Sequence, residues 1–112
     1  MSIFEKIASG EIPARFVDET EEWIAFHDSI PQAPVHVLIV PRKPIPRIGE
    51  AGDEDAALLG RMLVASGGIA ARLGLSEGGY RLVINNGRDA GESVPHLHIH
   101  LLGGRALTWP PG

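Results

Sequence analysis

Cysteine is absent from this 112-residue chain. Disulfides are therefore impossible, and metal sites built on thiolate are excluded. Long apolar runs are missing too. No stretch reaches the roughly 18 residues needed to cross a bilayer, so no membrane span is expected. Positive charge is scarce: ten Lys and Arg face fourteen Asp and Glu, for a net charge of −4. That balance argues against general nucleic-acid binding. The opening Met1-Ser2-Ile3-Phe4-Glu5-Lys6 lacks a basic segment followed by an apolar one, so it does not read as a signal peptide. The default expectation is a cytoplasmic protein.

What is present fits one globular domain over residues 1–112. Hydrophobic residues make up 44% and charged residues 21% of the chain, which is ordinary for a folded domain. Ile3, Phe4 and Ile7 have helical spacing behind Ser2 as N-cap, which predicts a short helix over 3–9 ending at Gly10. Phe16–Glu19 and Glu22–Phe26 read as two strands joined by a polar turn. Val35–Val40 is a buried strand by composition. The main helix is expected over 53–73, with Leu59, Met62, Leu63, Ser66, Ile69, Ala70 and Leu73 on one face. Asp53, Glu54 and Asp55 suit its positive end. Gly67-Gly68 inside it predicts close packing of helix against sheet. Tyr80–Ile84 is the next strand. The pattern indicates an α+β fold with an antiparallel sheet covered on one face.

Three of the five histidines occur at alternate positions in His96-Leu97-His98-Ile99-His100-Leu101-Leu102. In a strand this puts the imidazoles on one face, about 6.6–7 Å apart, and the aliphatic residues on the other. The row has three readings. It is a polar face in water, or a metal clamp, since neutral imidazole is a common ligand, or a catalytic array in which a histidine attacks an electrophile. Two imidazolium charges at that spacing repel by about 2.4 kcal/mol at an effective dielectric near 20, nearly two pKa units. The row is therefore not fully protonated near neutrality, and a neutral nucleophile beside a protonated neighbour is expected. The loop entering it, Asn85-Asn86-Gly87-Arg88-Asp89-Ala90-Gly91-Glu92-Ser93, offers glycines for a nest of backbone N–H groups, an amide at Asn85 and a hydroxyl at Ser93. Beside three histidines it reads as a phosphate cradle. Pro95 keeps Val94 extended and aims the strand.

The histidine run resembles the signature of the histidine triad (HIT) family, and the likeness extends over almost the whole chain to its Hint branch, the purine nucleoside phosphoramidases. Ile3-Phe4-Glu5-Lys6-Ile7, Gly10-Glu11-Ile12-Pro13-Ala14 and Ala25-Phe26-His27-Asp28 look like that branch. So do Pro31-Gln32-Ala33-Pro34-Val35-His36, Gly103-Gly104-Arg105 and Trp109-Pro110-Pro111-Gly112. The resemblance implies a HIT-like α+β fold with a sheet of about five antiparallel strands, one long helix and one short one. It also implies a homodimer whose two sheets join into one of ten strands, with Trp109 reaching the partner subunit's site.

The same resemblance implies hydrolysis of the P–N bond of an adenosine-type 5′-phosphoramidate through a covalent nucleotidyl-histidine. His98 would be the nucleophile. His36, His96 and His100 would support the phosphate and orient the nucleophile, and Ser93 would contact the phosphate and assist the leaving amine. Asp28 would hold the ribose hydroxyls. Ile3, Phe4, Ile7, Phe26 and Leu38 would line the purine pocket. Asn85, Gly91, Glu92, Ser93 and Val94, with His98 and His100, would hold the nucleotide on its phosphate side. No metal or cofactor is implied. Glu92 stands where the branch usually has glutamine, and a carboxylate beside phosphate is repulsive unless it is turned away or screened. Pro44, Pro95 and Thr108 also depart from the branch's usual residues. A nucleotide-binding module without catalysis, and a dinucleotide hydrolase or nucleotidyl transferase of another HIT branch, are the alternative readings.

Overall fold

The computed structural model describes residues Met1–Gly112. In chain order its elements are α1 (Ile3–Ala8), β1 (Phe16–Glu19), β2 (Trp23–His27), β3 (Val35–Pro41), α2 (Ala56–Arg72), β4 (Tyr80–Val83) and β5 (Ile99–Gly103). The strands form one antiparallel sheet in the order β1-β2-β3-β5-β4. This is the expected α+β architecture. No helix is long and apolar enough to cross a membrane.

Helix α1 starts where the sequence places it. Ser2 Oγ accepts from Glu5 N–H, and Glu5 returns a carboxylate to Ser2 N–H, a complete capping box. Gly10 stops the segment in a left-handed conformation, φ +84°.

The sheet is covered on both faces, not one. Alternation along the strands separates two clusters. Ala25, Val37, Ile39, Ile99 and Leu101 pack with Met62, Ile69 and Ala70 of α2 and with Leu75 just beyond it. On the other face Ile24, Phe26, Leu38 and Val40 pack with Phe4 and Ile7. The short helix, six residues long, is what makes that second layer.

Three further expectations are corrected. The helix predicted over 53–73 begins with a separate tight turn, Asp53–Asp55, before α2. Asp55 is buried there because its carboxylate accepts from Gly52 N–H and pairs with Lys43, so it braces the turn and does not simply face a helix end. Leu63, predicted on the buried face, is exposed. The glycine pair is not a close-packing point. A Cβ at Gly68 would meet nothing within 4 Å, and one at Gly67 only the Tyr80 hydroxyl at 3.6 Å. The close approach lies at Gly103, where a Cβ would stand 2.8 Å from the Leu75 side chain.

The histidine row is also reshaped. Strand β5 begins at Ile99, so His96 and His98 precede it. The ladder ends there because the last β3–β5 pair is Ile39 with Ile99. Pro41 has no N–H to offer, and its carbonyl is taken by His96 Nε2 at 2.7 Å. Leu97 N–H turns instead to Ile45 O at 2.7 Å. Leu97, Ile99 and Leu101 are nonetheless buried as the alternation requires.

Candidate active site

Strand register assembles the site. Leu38 pairs with His100 and His36 with Leu102 across β3 and β5, so His36 and His100 are diagonal neighbours on the face covered by α1. His36 Nε2 and His100 Nδ1 are 2.9 Å apart. The rings of His98 and His100 lie 4.9 Å apart between centroids, edge to face. That is closer than the spacing expected of a straight strand. Phe4 of α1 packs edge-on against His98 at 5.0 Å and His96 at 5.8 Å.

Hydrogen bonds fix the protons. Gln32 N–H donates to His36 Nδ1 at 3.0 Å, so a neutral His36 carries its proton on Nε2 and donates it to His100 Nδ1. Neutral His100 then bears its own proton on Nε2, free to meet an anion. His98 Nδ1 lies 2.8 Å from His96 O. A carbonyl only accepts, so Nδ1 is the protonated nitrogen and Nε2 keeps its lone pair. By the same logic His96 Nε2–H donates to Pro41 O, and Ser2 Oγ donates to His96 Nδ1 at 2.7 Å.

Charge follows burial. His100 is pushed down to about 4, chiefly by burial and then by charge on His98 and His36. Burial also lowers His36, with Asp28 acting against it. Both are neutral at pH 7. The expected protonated neighbour is therefore not found in His36 or His100; burial outweighs the attraction of one carboxylate.

A cavity of about 220 Å³ opens beside these rings. Its lining includes Ile3, Phe4, Ile7, Phe26, Asp28, Leu38, Ser93, Val94, His98 and His100, ten of the residues named from the sequence. Ser29, which the sequence reading missed, completes it. A second cavity of about 470 Å³ shares Ile3, Ile7, Phe26, Asp28 and Ser29, and adds Ile12, Arg15 and His27. The two cavities adjoin along these shared residues, and only the first is lined by the imidazoles of His98 and His100. His27, read as structural or exposed, thus borders the second. Nothing in the sequence distinguished Ser29 or His27 from turn and edge residues.

Four predicted roles need revision. His96 spends both ring nitrogens inside the protein, so its carbonyl, not its imidazole, contacts His98. Asn85 donates its amide to Ala90 O at 2.7 Å and holds the loop's own shape. Gly91 sits in a left-handed conformation, φ +79°, as the loop's turn. Glu92 is neither aimed into the cavity nor free: Arg47 donates to both its oxygens, at 2.9 and 3.1 Å, and Gly87 N–H donates at 3.0 Å. These bonds, Arg47's first, hold its carboxyl down to about 2. Asn85, Gly91 and Glu92 do not line the cavity. The expected glycine nest is also spent internally, since Ala90, Gly91 and Glu92 N–H all donate within the loop. The N–H groups of Ser93 and Val94 make no such bonds, and these residues border the imidazoles.

Asp28, His36 and His100 bring one potential ligand atom each within 4.8 Å of one another. The donor set does not suit a cation. His36 Nε2 must lose its proton to ligate, yet Gln32 N–H already occupies Nδ1, where that proton would have to go. Asp28 Oδ1 accepts from Ile30 N–H at 2.9 Å, and its Oδ2 stands 3.5 Å from His36 Nε2. Trp109, expected to dock on a partner subunit, is 81% exposed in the single chain.

Comparison with known proteins agrees with this geometry. Residues 9–107 match the model of the HIT domain. A HIT-like protein of Synechococcus elongatus, described as uncharacterized, is 55% identical over 99% of this chain and 96% of its own length. The crystal structure of a HIT family hydrolase from Legionella pneumophila superposes with a TM-score of 0.97 at 50% identity, covering 100% of both chains. A histidine triad nucleotide-binding protein from Candida albicans gives a TM-score of 0.83 at 33% identity, over 98% of this chain and 83% of that one. The chain belongs to the HIT family.

Proposed function

We propose that this chain, acting as one HIT domain over residues 1–112, hydrolyses purine nucleoside 5′-phosphoramidates of the adenosine type through a nucleotidyl-His98 intermediate. The observation that carries the reading is the His96 carbonyl on His98 Nδ1. It turns the Nε2 lone pair outward, toward the cleft that His98 lines, and stabilises the positive charge that the ring acquires on attack.

In the first half-reaction His98 Nε2 forms a bond to phosphorus and the P–N bond breaks. The leaving nitrogen takes the proton of the Ser93 hydroxyl and departs as the neutral amine, and the water that attacks in the second half-reaction returns a proton to Ser93. In the second, water forms the new P–O bond and the His98–phosphorus bond breaks, which restores the lone pair. Over the cycle water supplies hydroxyl to phosphorus and a proton to the amine. His100 Nε2–H and the Ser93 and Val94 N–H groups serve as donors to the phosphoryl oxygens. Ile3, Phe4, Ile7, Phe26 and Leu38 take the base and Asp28 the ribose hydroxyls. The nucleotide-binding description of the Candida albicans relative and the hydrolase description of the Legionella relative support this class.

The assembly belongs to the same reading: a homodimer with a continuous sheet, and Trp109 beside the partner subunit's site. Rapid quench with adenosine 5′-phosphoramidate, followed by mass spectrometry, tests the chemistry. Adenylate on the His98 peptide is expected. His98→Ala is expected to bind adenosine monophosphate and release no amine; undiminished turnover by that variant would sink the assignment.

A further inference from the structure

The loop that delivers Ser93 is held from outside by the segment between β3 and α2. Arg47 grips Glu92 through Nε and Nη2, one nitrogen per carboxylate oxygen, at 2.9 and 3.1 Å. This bidentate geometry fixes direction as well as distance. Glu92 is at once tied to Gly87, which donates to its carboxylate at 3.0 Å and accepts from its N–H at 3.1 Å. A second tie runs from Gly49 N–H to Asn86 Oδ1 at 2.7 Å. A Cβ at Gly49 would stand 2.8 Å from that oxygen, so the two segments touch there with no room to spare. Arg47 is itself steadied by Glu50. The next residues after Glu92 are Ser93 and Val94, which line the cavity with His98 and His100.

We propose that Arg47 is a positioning residue that acts through Glu92: their ion pair latches the 87–92 loop shut and so places the Ser93 hydroxyl and the Ser93 and Val94 N–H groups at the phosphoryl group. The proposal rests on the phosphoryl-transfer reading above. A surface ion pair adds little to stability, but a donor displaced by an ångström costs a phosphoryl-transfer step far more. The base and ribose are held by other elements, so the loss falls on the chemical step and not on binding.

The test compares Arg47→Ala, Arg47→Lys, Glu92→Gln and the Arg47→Ala/Glu92→Gln double variant, with Arg88→Ala as a loop-surface control. Arg47→Ala is expected to lower kcat on adenosine 5′-phosphoramidate by on the order of tenfold to a hundredfold and to change KM by less than about threefold. Lysine, a point charge without the fork, restores part of the loss. In the double variant the two losses do not add, because one acts through the other. Amide hydrogen exchange over residues 87–94 is read on the same samples. It is expected to quicken in Arg47→Ala while the melting temperature stays nearly constant. Unchanged exchange overturns the latch. Faster exchange with wild-type kcat overturns its catalytic consequence. A wild-type protein that turns over no phosphoramidate fails the reaction reading itself, and the exchange result then decides the latch alone.

Discussion

Ser2 Oγ lies 2.7 Å from His96 Nδ1, across 94 residues of sequence. The cap of the first helix is thereby part of the support for His98, the proposed nucleophile. Ser2 holds the His96 ring, Pro41 O holds its other nitrogen, and the His96 carbonyl aims His98. Ser2→Ala is expected to lose about 1 kcal/mol of stability as an N-cap and to lower kcat as well. Ser2→Thr keeps the hydroxyl and should keep both. Urea melts and steady-state rates on the three proteins check this.

Acid should loosen the fold through His100 and His36. Folded His100 has a pKa of about 4 against an ordinary 6.5. Between those values the unfolded chain binds a proton that the folded chain refuses, so stability falls as pH drops through that window. His36 shifts in the same direction. Glu92, held down to about 2 from 4.5, adds stability above pH 4.5 that is lost as pH falls toward 2. Urea midpoints are expected to decline from pH 6.5 downward, and His100→Asn should flatten the upper part of that decline.

At Gly103 the sheet and the segment after α2 approach closely. An added methyl would stand 2.8 and 2.9 Å from the two Leu75 methyl carbons, and Leu75 is buried. Gly103→Ala is expected to destabilise by roughly 1–3 kcal/mol through overpacking. Leu75→Val in the same chain removes a methylene and should recover part of it, as measured by denaturant unfolding.

Turnover should not depend on a metal ion. His36 keeps a proton on the nitrogen that a cation would require, and His98 needs no Lewis acid to attack. Exhaustive dialysis against a chelator is expected to leave the rate unchanged, and added zinc should not raise it. Loss of activity on chelation, restored by one metal, would overturn this.

The elements most legible in the sequence were those fixed by local rules. Ser2 and Gly10 bracket α1 because a cap and a left-handed stop are properties of single residues. Family likeness places Ile3, Phe4, Ile7, Phe26 and Leu38 in the pocket, and helical spacing in α1 together with the Phe26–Leu38 pair across β2 and β3 brings them around one cavity. Partners chosen by tertiary contact were not legible. Glu92 finds Arg47 from 45 positions away, and nothing near either residue announces the pair. Asn85 turned to Ala90 because the loop needed its own carbonyl satisfied. The glycines of α2 were misread because low helix propensity does not say which face a residue occupies. The histidine strand lost its first half to Pro41, whose missing N–H lies on the neighbouring strand and not in the motif.

Both faces of β3 are buried, so β3 alone cannot tell one pairing with β5 from its neighbour, whereas the alternation of imidazole and aliphatic side chains along β5 can. The contact between His36 and His100 adds to that selection. Sliding the strands by one residue would part the two rings and leave a buried imidazole nitrogen without a partner, at a cost of about 1–3 kcal/mol. The imidazole face thus serves as a key for folding. A chain that mispairs these strands loses the site and a buried hydrogen bond in the same step.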